Sequence, residues 1–335
     1  MVKNMKCFTF NLILLIGLIG GTVSCFSTRK SNPDRSEENT MPVEQQPETI
    51  HTVVPDTFVL PTIPKTITDP SERAKYLTMH YWDRFDFTNR RMIDRPDVTE
   101  QAFVDYINIL NHVPKENADK SLLYTLDKAT VDTIMYKHFV RMFEKYFYDP
   151  NSPFRNEELY IPVLKEFNRS SMLTEAELSP YLFQLEMVMK NRVGQRASDF
   201  AYTLPSGQSY HLHELKSEYT LLLFSNPGCS TCEAVIKRLN QSKELNEALS
   251  FNTPVRTMLT ILTIYPDSDL EEWLAHLSDM PAGWVHGYDK GMEITQKKLY
   301  DIKAIPTIYL LDRDKNVILK DTSIEAVESF FSASV

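Results

Sequence analysis

Apolar positions recur at helical spacing through the first half of the chain and alternate or run together in the second. Asp69-Pro70-Ser71-Glu72 reads as a helix start, with a polar cap, proline in the first turn and an acid behind it. Tyr76, Leu77, His80, Tyr81 and Phe85 then follow at helical spacing. Thr99-Glu100-Gln101 opens a second helix with Phe103, Tyr106, Ile107 and Leu110 on one face. Further helices are predicted over 120–127, 132–148, 157–168 and 174–192, punctuated by Asp149-Pro150, Ser152-Pro153 and Ser179-Pro180. The stripe Tyr136, Phe139, Phe143, Tyr146 and Phe147 reads as core. The strings from His80 to Phe87 and from Tyr146 to Pro153 are explained equally by packing and by a peptide-binding groove.

Beyond Gly194 the period changes from helical to strand-like. Tyr202 to Gly207 and Ser209 to His213 form a hairpin pattern. Buried strands are expected at 219–224 and 258–265, and an antiparallel pair at 307–311 and 317–319. Helices are expected at 232–239, 269–277, 291–299 and 323–331. Strands alternating with helices and closing on a hairpin describe an α/β domain. The predicted architecture is an all-α bundle at 70–193 followed by an α/β domain at 194–335.

Composition sharpens the boundary. Of nine glycines, none lies between Gly21 and Gly194, so that stretch lacks the residue that tight hairpins and phosphate-cradling loops rely on. The net charge of −9 gives no basic footprint for nucleic acid, and 42% hydrophobic residues are ample for two cores.

The N-terminus points to export. Lys3 and Lys6 precede a short apolar run from Cys7 to Ile19, and small residues follow. Thr22-Val23-Ser24-Cys25 resembles a bacterial lipobox, with Thr22 where that pattern prefers leucine. The resemblance implies cleavage after residue 24, lipid on Cys25 and anchoring to an envelope membrane. Seven prolines between 33 and 70, among Ser, Glu, Thr and Asn, make 25–69 a disordered tether. With Cys7 removed and Cys25 acylated, Cys229 and Cys232 are the remaining thiols, either a redox pair or half of a metal site.

Asn226-Pro227-Gly228-Cys229-Ser230-Thr231-Cys232 lies between a buried strand and a helix. A helix start sets free N–H groups and the positive end of the dipole beside Cys229, the setting that favours a nucleophilic thiolate. Cys232, one turn further on, is shielded and placed to resolve a mixed disulfide. Zinc would need two more Cys or His ligands. The one close histidine pair, His211 and His213, reads as surface, so neither metal nor cofactor is expected. Gly228, without a side chain, is expected to leave Cys229 open to a protein substrate.

The second element is Ala304-Ile305-Pro306-Thr307, proline opening a strand, a position that often marks a tight or cis peptide. Together the C-x-x-C and Ile305-Pro306 resemble the thioredoxin superfamily. Ala197-Ser198-Asp199-Phe200 with Gly207 is similar to the N-terminal hairpin of extracytoplasmic TlpA/ResA-type reductases. The resemblance covers 194 to the C-terminus and implies that Cys229 attacks, Cys232 resolves, and Ile305 and Pro306 dock substrate. Leu223 stands where thioredoxin carries a buried aspartate, which leaves water or a carboxylate such as Glu233 for proton transfer. Strings such as His80-Tyr81-Trp82-Asp83 and Gln184-Leu185-Glu186-Met187 resemble the helical domain that precedes thioredoxin-like domains in lipoproteins of Bacteroides-type bacteria.

The expectation is a lipid-anchored, periplasm-facing thiol–disulfide oxidoreductase acting as a reductase. Its expected partners are thiol- or disulfide-containing envelope proteins and a membrane electron donor. The rival is a non-catalytic scaffold whose cysteine pair is a static disulfide.

Overall fold

The computed structural model describes residues 57–334. The predicted signal peptide, Cys25 and the tether as far as residue 56 lie outside the described residues. No helix among those described is long and apolar enough to cross a membrane.

Six helices build the first half: α1 (Pro70–His80), α2 (Thr99–Leu110), α3 (Lys115–Ala129), α4 (Thr133–Phe147), α5 (Glu157–Phe167) and α6 (Glu175–Val188). Several start on side-chain caps that satisfy otherwise unpaired N–H groups. Asp69 accepts the Glu72 N–H at 2.9 Å, and Asn156 accepts the Leu159 N–H at 3.1 Å. Thr174 and Glu177 cap each other reciprocally at α6. α3 begins five residues before the expected start, because Lys115 to Asp119 is polar but for Ala118 and one apolar position gives no period. α6 runs through Pro180 within the expected 174–192; the proline removes one backbone donor, and the capping box holds the first turn.

Trp82, 1% exposed, centres the aromatic core of this half. Its ring lies 5.1 Å from Phe139, 5.3 Å from Phe85 and 5.7 Å from Tyr106. Packing therefore accounts for Tyr81, Trp82 and Phe87 without a peptide groove. The stretch assigned to the tether ends earlier than expected. Phe58 stacks 5.0 Å from Tyr81 and meets Trp82 edge-on at 5.2 Å, and Arg84 donates to Thr62 Oγ1 at 3.1 Å. An aromatic side chain thus docks part of 57–69 on the bundle, where composition alone suggested free chain.

The second half carries β1 (Ala201–Thr203), β2 (Ser209–His211), β3 (Tyr219–Phe224), α7 (Ser230–Gln241), α8 (Lys243–Ser250), β4 (Leu259–Tyr265), α9 (Leu270–Ala275), β5 (Val285–Tyr288), α10 (Glu293–Gln296), β6 (Thr307–Leu311), β7 (Val317–Leu319) and α11 (Ile324–Ser334). The strands form one mixed sheet in the order β2-β1-β5-β4-β3-β6-β7. β3 runs parallel to β4 and antiparallel to β6, with Leu222 opposite both Leu262 and Tyr309. Successive residues of β3 feed opposite cores, as the period of two requires. Leu222 and Phe224 pack with Tyr300 and Tyr309, and Leu221 and Leu223 pack with Leu239 and Phe331. Leu223 is thus a fully buried apolar residue. Among the described residues, both halves belong to one compact unit.

Candidate active site

β3 ends at Phe224 in the middle of the sheet, and the chain turns through Ser225 to Gly228 into α7. Gly228 has φ +67, a conformation that an L side chain adopts only under strain. A Cβ there would meet Glu272 Oε1 at 3.9 Å, an ordinary contact. Glycine is therefore required by the backbone turn itself.

Cys229 is the N-cap of α7, whose helix starts two residues before the expected Cys232. Its Sγ accepts the Cys232 N–H at 3.3 Å. The same Sγ lies 3.9 Å from the Ile305 carbonyl oxygen, within reach of a thiol donor. The Ile305–Pro306 peptide is cis. Both cysteines are free thiols, Cys229 half-buried and Cys232 1% exposed. Burial, with Cys229 beside it, pushes the Cys232 thiol up to about 12. The fold thus brings Gly228, Cys229, Cys232, Ile305 and Pro306 together from two loops at one end of β3 and β6.

The other candidates lie elsewhere. Glu233 is exposed in the first turn of α7. His211 is exposed and pairs with Asp199 Oδ2 at 3.1 Å. His213 is half-buried and not free surface as expected, because its ring bonds the Ala197 carbonyl at 2.8 Å. Among the described residues no three His, Cys, Asp or Glu side chains converge as a metal site.

Sequence reasoning missed a cavity of about 470 Å³ between α7 and α9, lined by Cys232, Ile236, Trp273 and Met280 among others. Asn226 also lines it, and its Oδ1 is buried without a hydrogen-bond partner. The one sequence signal was its place two residues past the buried strand.

The helical bundle, the mixed sheet and the paired loops define a two-domain protein of the thioredoxin-like class. A family model described as a domain of unknown function (DUF5106) matches residues 24–191, and a thioredoxin-like family model matches 217–317. A thioredoxin-like protein from Bacteroides caccae is 42% identical, with a TM-score of 0.79, covering 83% of this chain and 99% of its own. The C-terminal domain of an uncharacterized protein from Bacteroides fragilis is 43% identical over 42% of this chain and 98% of its own, with a TM-score of 0.40. The thioredoxin domain of a thiol-disulfide oxidoreductase from Bacteroides vulgatus is 19% identical, with a TM-score of 0.37, covering 43% of this chain and 98% of its own. No curated protein matches the chain. The chain belongs to the family in which a DUF5106 domain precedes a thioredoxin-like domain.

Proposed function

We propose that this protein is a thiol–disulfide oxidoreductase of the cell envelope that reduces disulfides in other proteins. The observation that carries the reading is the position of Cys229 Sγ. It caps α7, accepts the Cys232 N–H at 3.3 Å and faces the Ile305 carbonyl at 3.9 Å. A cap position gives a sulfur anion free N–H donors and the positive end of the helix dipole. The Ile305 carbonyl and Pro306 border the space a substrate cysteine must enter.

In the first step the Cys229 thiolate attacks one sulfur of a substrate disulfide. A mixed disulfide forms and the substrate's other sulfur leaves as a thiolate, which takes up a proton. Cys232 then loses its proton and attacks Cys229 Sγ, releasing the second substrate thiol and closing the Cys229–Cys232 disulfide. Two electrons pass from the cysteine pair to the substrate, and a membrane electron donor returns the pair to dithiol. With Leu223 in place of a carboxylate, the Cys232 proton leaves to water that enters the cavity beside it, and the unpartnered Asn226 Oδ1 offers that water a hydrogen-bond acceptor. The reading includes a lipid on Cys25 that holds the protein to the membrane with its domains facing the periplasm.

Replacing Cys232 with Ser removes the resolving thiol and should leave substrates linked to Cys229. Mixed disulfides recovered from envelope extracts by the variant, and absent from a Cys229→Ser control, support the reading; none recovered overturns it. A pair potential below about −300 mV together with no reduction of insulin would instead fit a structural disulfide. Intact mass of the membrane-extracted protein decides the lipid, since an unmodified Cys25 removes the anchor.

A further inference from the structure

The chain leading into Ile305 is gripped from outside the thioredoxin-like domain. Lys190 Nζ donates to the Lys298 carbonyl at 2.6 Å, and Asn191 Nδ2 donates to the Leu299 carbonyl at 2.8 Å. Tyr148 OH donates to Asp301 Oδ2 at 3.1 Å. Glu157, the first residue of α5, accepts from Lys303 Nζ. Four residues of the helical domain thus hold positions 298, 299, 301 and 303, with Ile305 next on the same chain.

Lys303 is the most enclosed of these contacts. Its side chain is 5% exposed and its Nζ also lies 2.9 Å from Asp301 and 3.7 Å from Asp321. The Tyr148 ring covers it at 4.6 Å. Lys320 reaches Glu157 at 2.7 Å and Arg155 reaches Asp321 at 3.0 Å, so three cations meet three carboxylates. These carboxylates, led by Glu157, outweigh burial and hold Lys303 above its ordinary range. A buried ionic cluster adds little stability over an apolar one of equal volume, whereas it fixes geometry through directed bonds.

That geometry has a short route to the reacting sulfur. Thr307 is locked by its register with Phe224 in β3, and Lys303 is locked by the helical domain. The three residues between them are too few to absorb a displacement at either end, at about 3.5 Å of reach per residue. Removing the grip at Lys303 therefore moves the Ile305 carbonyl relative to Cys229.

Resting on the exchange reading above, we propose that the helical domain is a working part of the active site: through Glu157 and Lys303 it sets the position of the Ile305 carbonyl opposite Cys229, with Lys303 as the positioning residue. The partner class follows. The substrate is a polypeptide disulfide whose backbone must register against that carbonyl, whereas a small disulfide needs only the sulfur.

The test uses the full chain with Lys303→Met, Lys303→Arg and Glu157→Gln. Reduction of a disulfide-bonded peptide is compared with reduction of 2-hydroxyethyl disulfide, and hydrogen exchange is followed at the amides of Ala304, Ile305 and Thr307. In K303M the peptide rate should fall about tenfold while the small-disulfide rate stays within about twofold, since misplacement by about 1 Å costs on the order of 10²-fold and the remaining grips at 298, 299 and 301 limit the shift to a part of that. K303R should restore the peptide rate, the amides of Ala304, Ile305 and Thr307 should exchange faster in K303M, and E157Q should show a milder form of both effects. Equal slowing with both disulfides, or an unchanged peptide rate, overturns the proposal. If the unaltered chain reduces neither disulfide, the exchange reading fails, and hydrogen exchange at these amides then decides positioning alone: unchanged rates in K303M and E157Q refute it.

Discussion

Alkylation of the reduced protein should separate its two active-loop thiols by a wide margin. Cys232 is 1% exposed and its thiol is pushed from an ordinary 9.0 to about 12, first by burial and then by Cys229. At neutral pH that displacement lowers the thiolate fraction by about 10³-fold, since each tenfold change in that fraction corresponds to about one pH unit. Because alkylation consumes thiolate, Cys232 should react with iodoacetamide about 10³-fold more slowly in the folded chain than in the chain unfolded by guanidinium. Peptide mapping of a time course reads both sites, and Cys229, half-buried at the helix start, should carry the early label. Raising the pH should increase the Cys232 rate steadily through 9, where an ordinary thiol levels off. Burial is the larger cause, so most of this protection should survive in Cys229→Ser. Labelling of Cys232 within about tenfold of its unfolded rate would refute the reasoning, because burial could not then be shielding the resolving thiol.

Three further outcomes follow from the packing and charge. Gly287 in β5 has no room for a side chain, since an added Cβ would lie 2.8 Å from Tyr202 Cδ2 and 3.3 Å from Ile264 Cδ1. Gly287→Ala should cost about 1–3 kcal/mol by overpacking, and denaturant unfolding that shows no loss would refute the fit. Phe139, fully buried against Trp82 at 5.1 Å and Phe87 at 5.2 Å, should cost about 3–5 kcal/mol when cut to Ala, read as a lower denaturant midpoint. Glu157 is largely enclosed, which disfavours its charge, yet Lys303 and Lys320 hold its carboxyl below its ordinary 4.5. Its contribution is therefore present above 4.5 and lost as pH falls through the lower folded value. The gap in melting temperature between the natural chain and Glu157→Gln should be steady near neutrality and close at acid pH, and a gap that persists in acid would refute the pairing. Lys303 sets the other edge: raised above its ordinary 10.5 by the same carboxylates, it stabilises below 10.5 and loses its share as pH rises through the folded value.

Most elements were legible because they are local. The helical periods at 99–110 and 157–167 follow from spacing that any short window contains, and the second also from its Asn156 cap. The loop chemistry was legible too, because a C-x-x-C at a strand–helix junction and a proline before a strand are each local signals. What failed locally has a common cause. β5 is four residues long and includes a glycine that no propensity would place in a strand. α8 follows α7 after one residue, and its polar start at Lys243 carries no signal of a separate helix.

The sequence alone therefore determined two domains, their classes, the cysteine pair and the proline that opens β6. Only the tertiary structure decided that Cys229 Sγ meets the Ile305 carbonyl and that Gly228 is needed for its backbone. It alone decided that Phe58 belongs to the bundle and that Glu157 reaches Lys303 across the domain boundary. The physical reason is range. Periodicity, capping and turn chemistry act over a few residues, whereas a buried charge finds its partner through the packing of whole domains, and no pattern around Glu157 or Lys303 identifies the other.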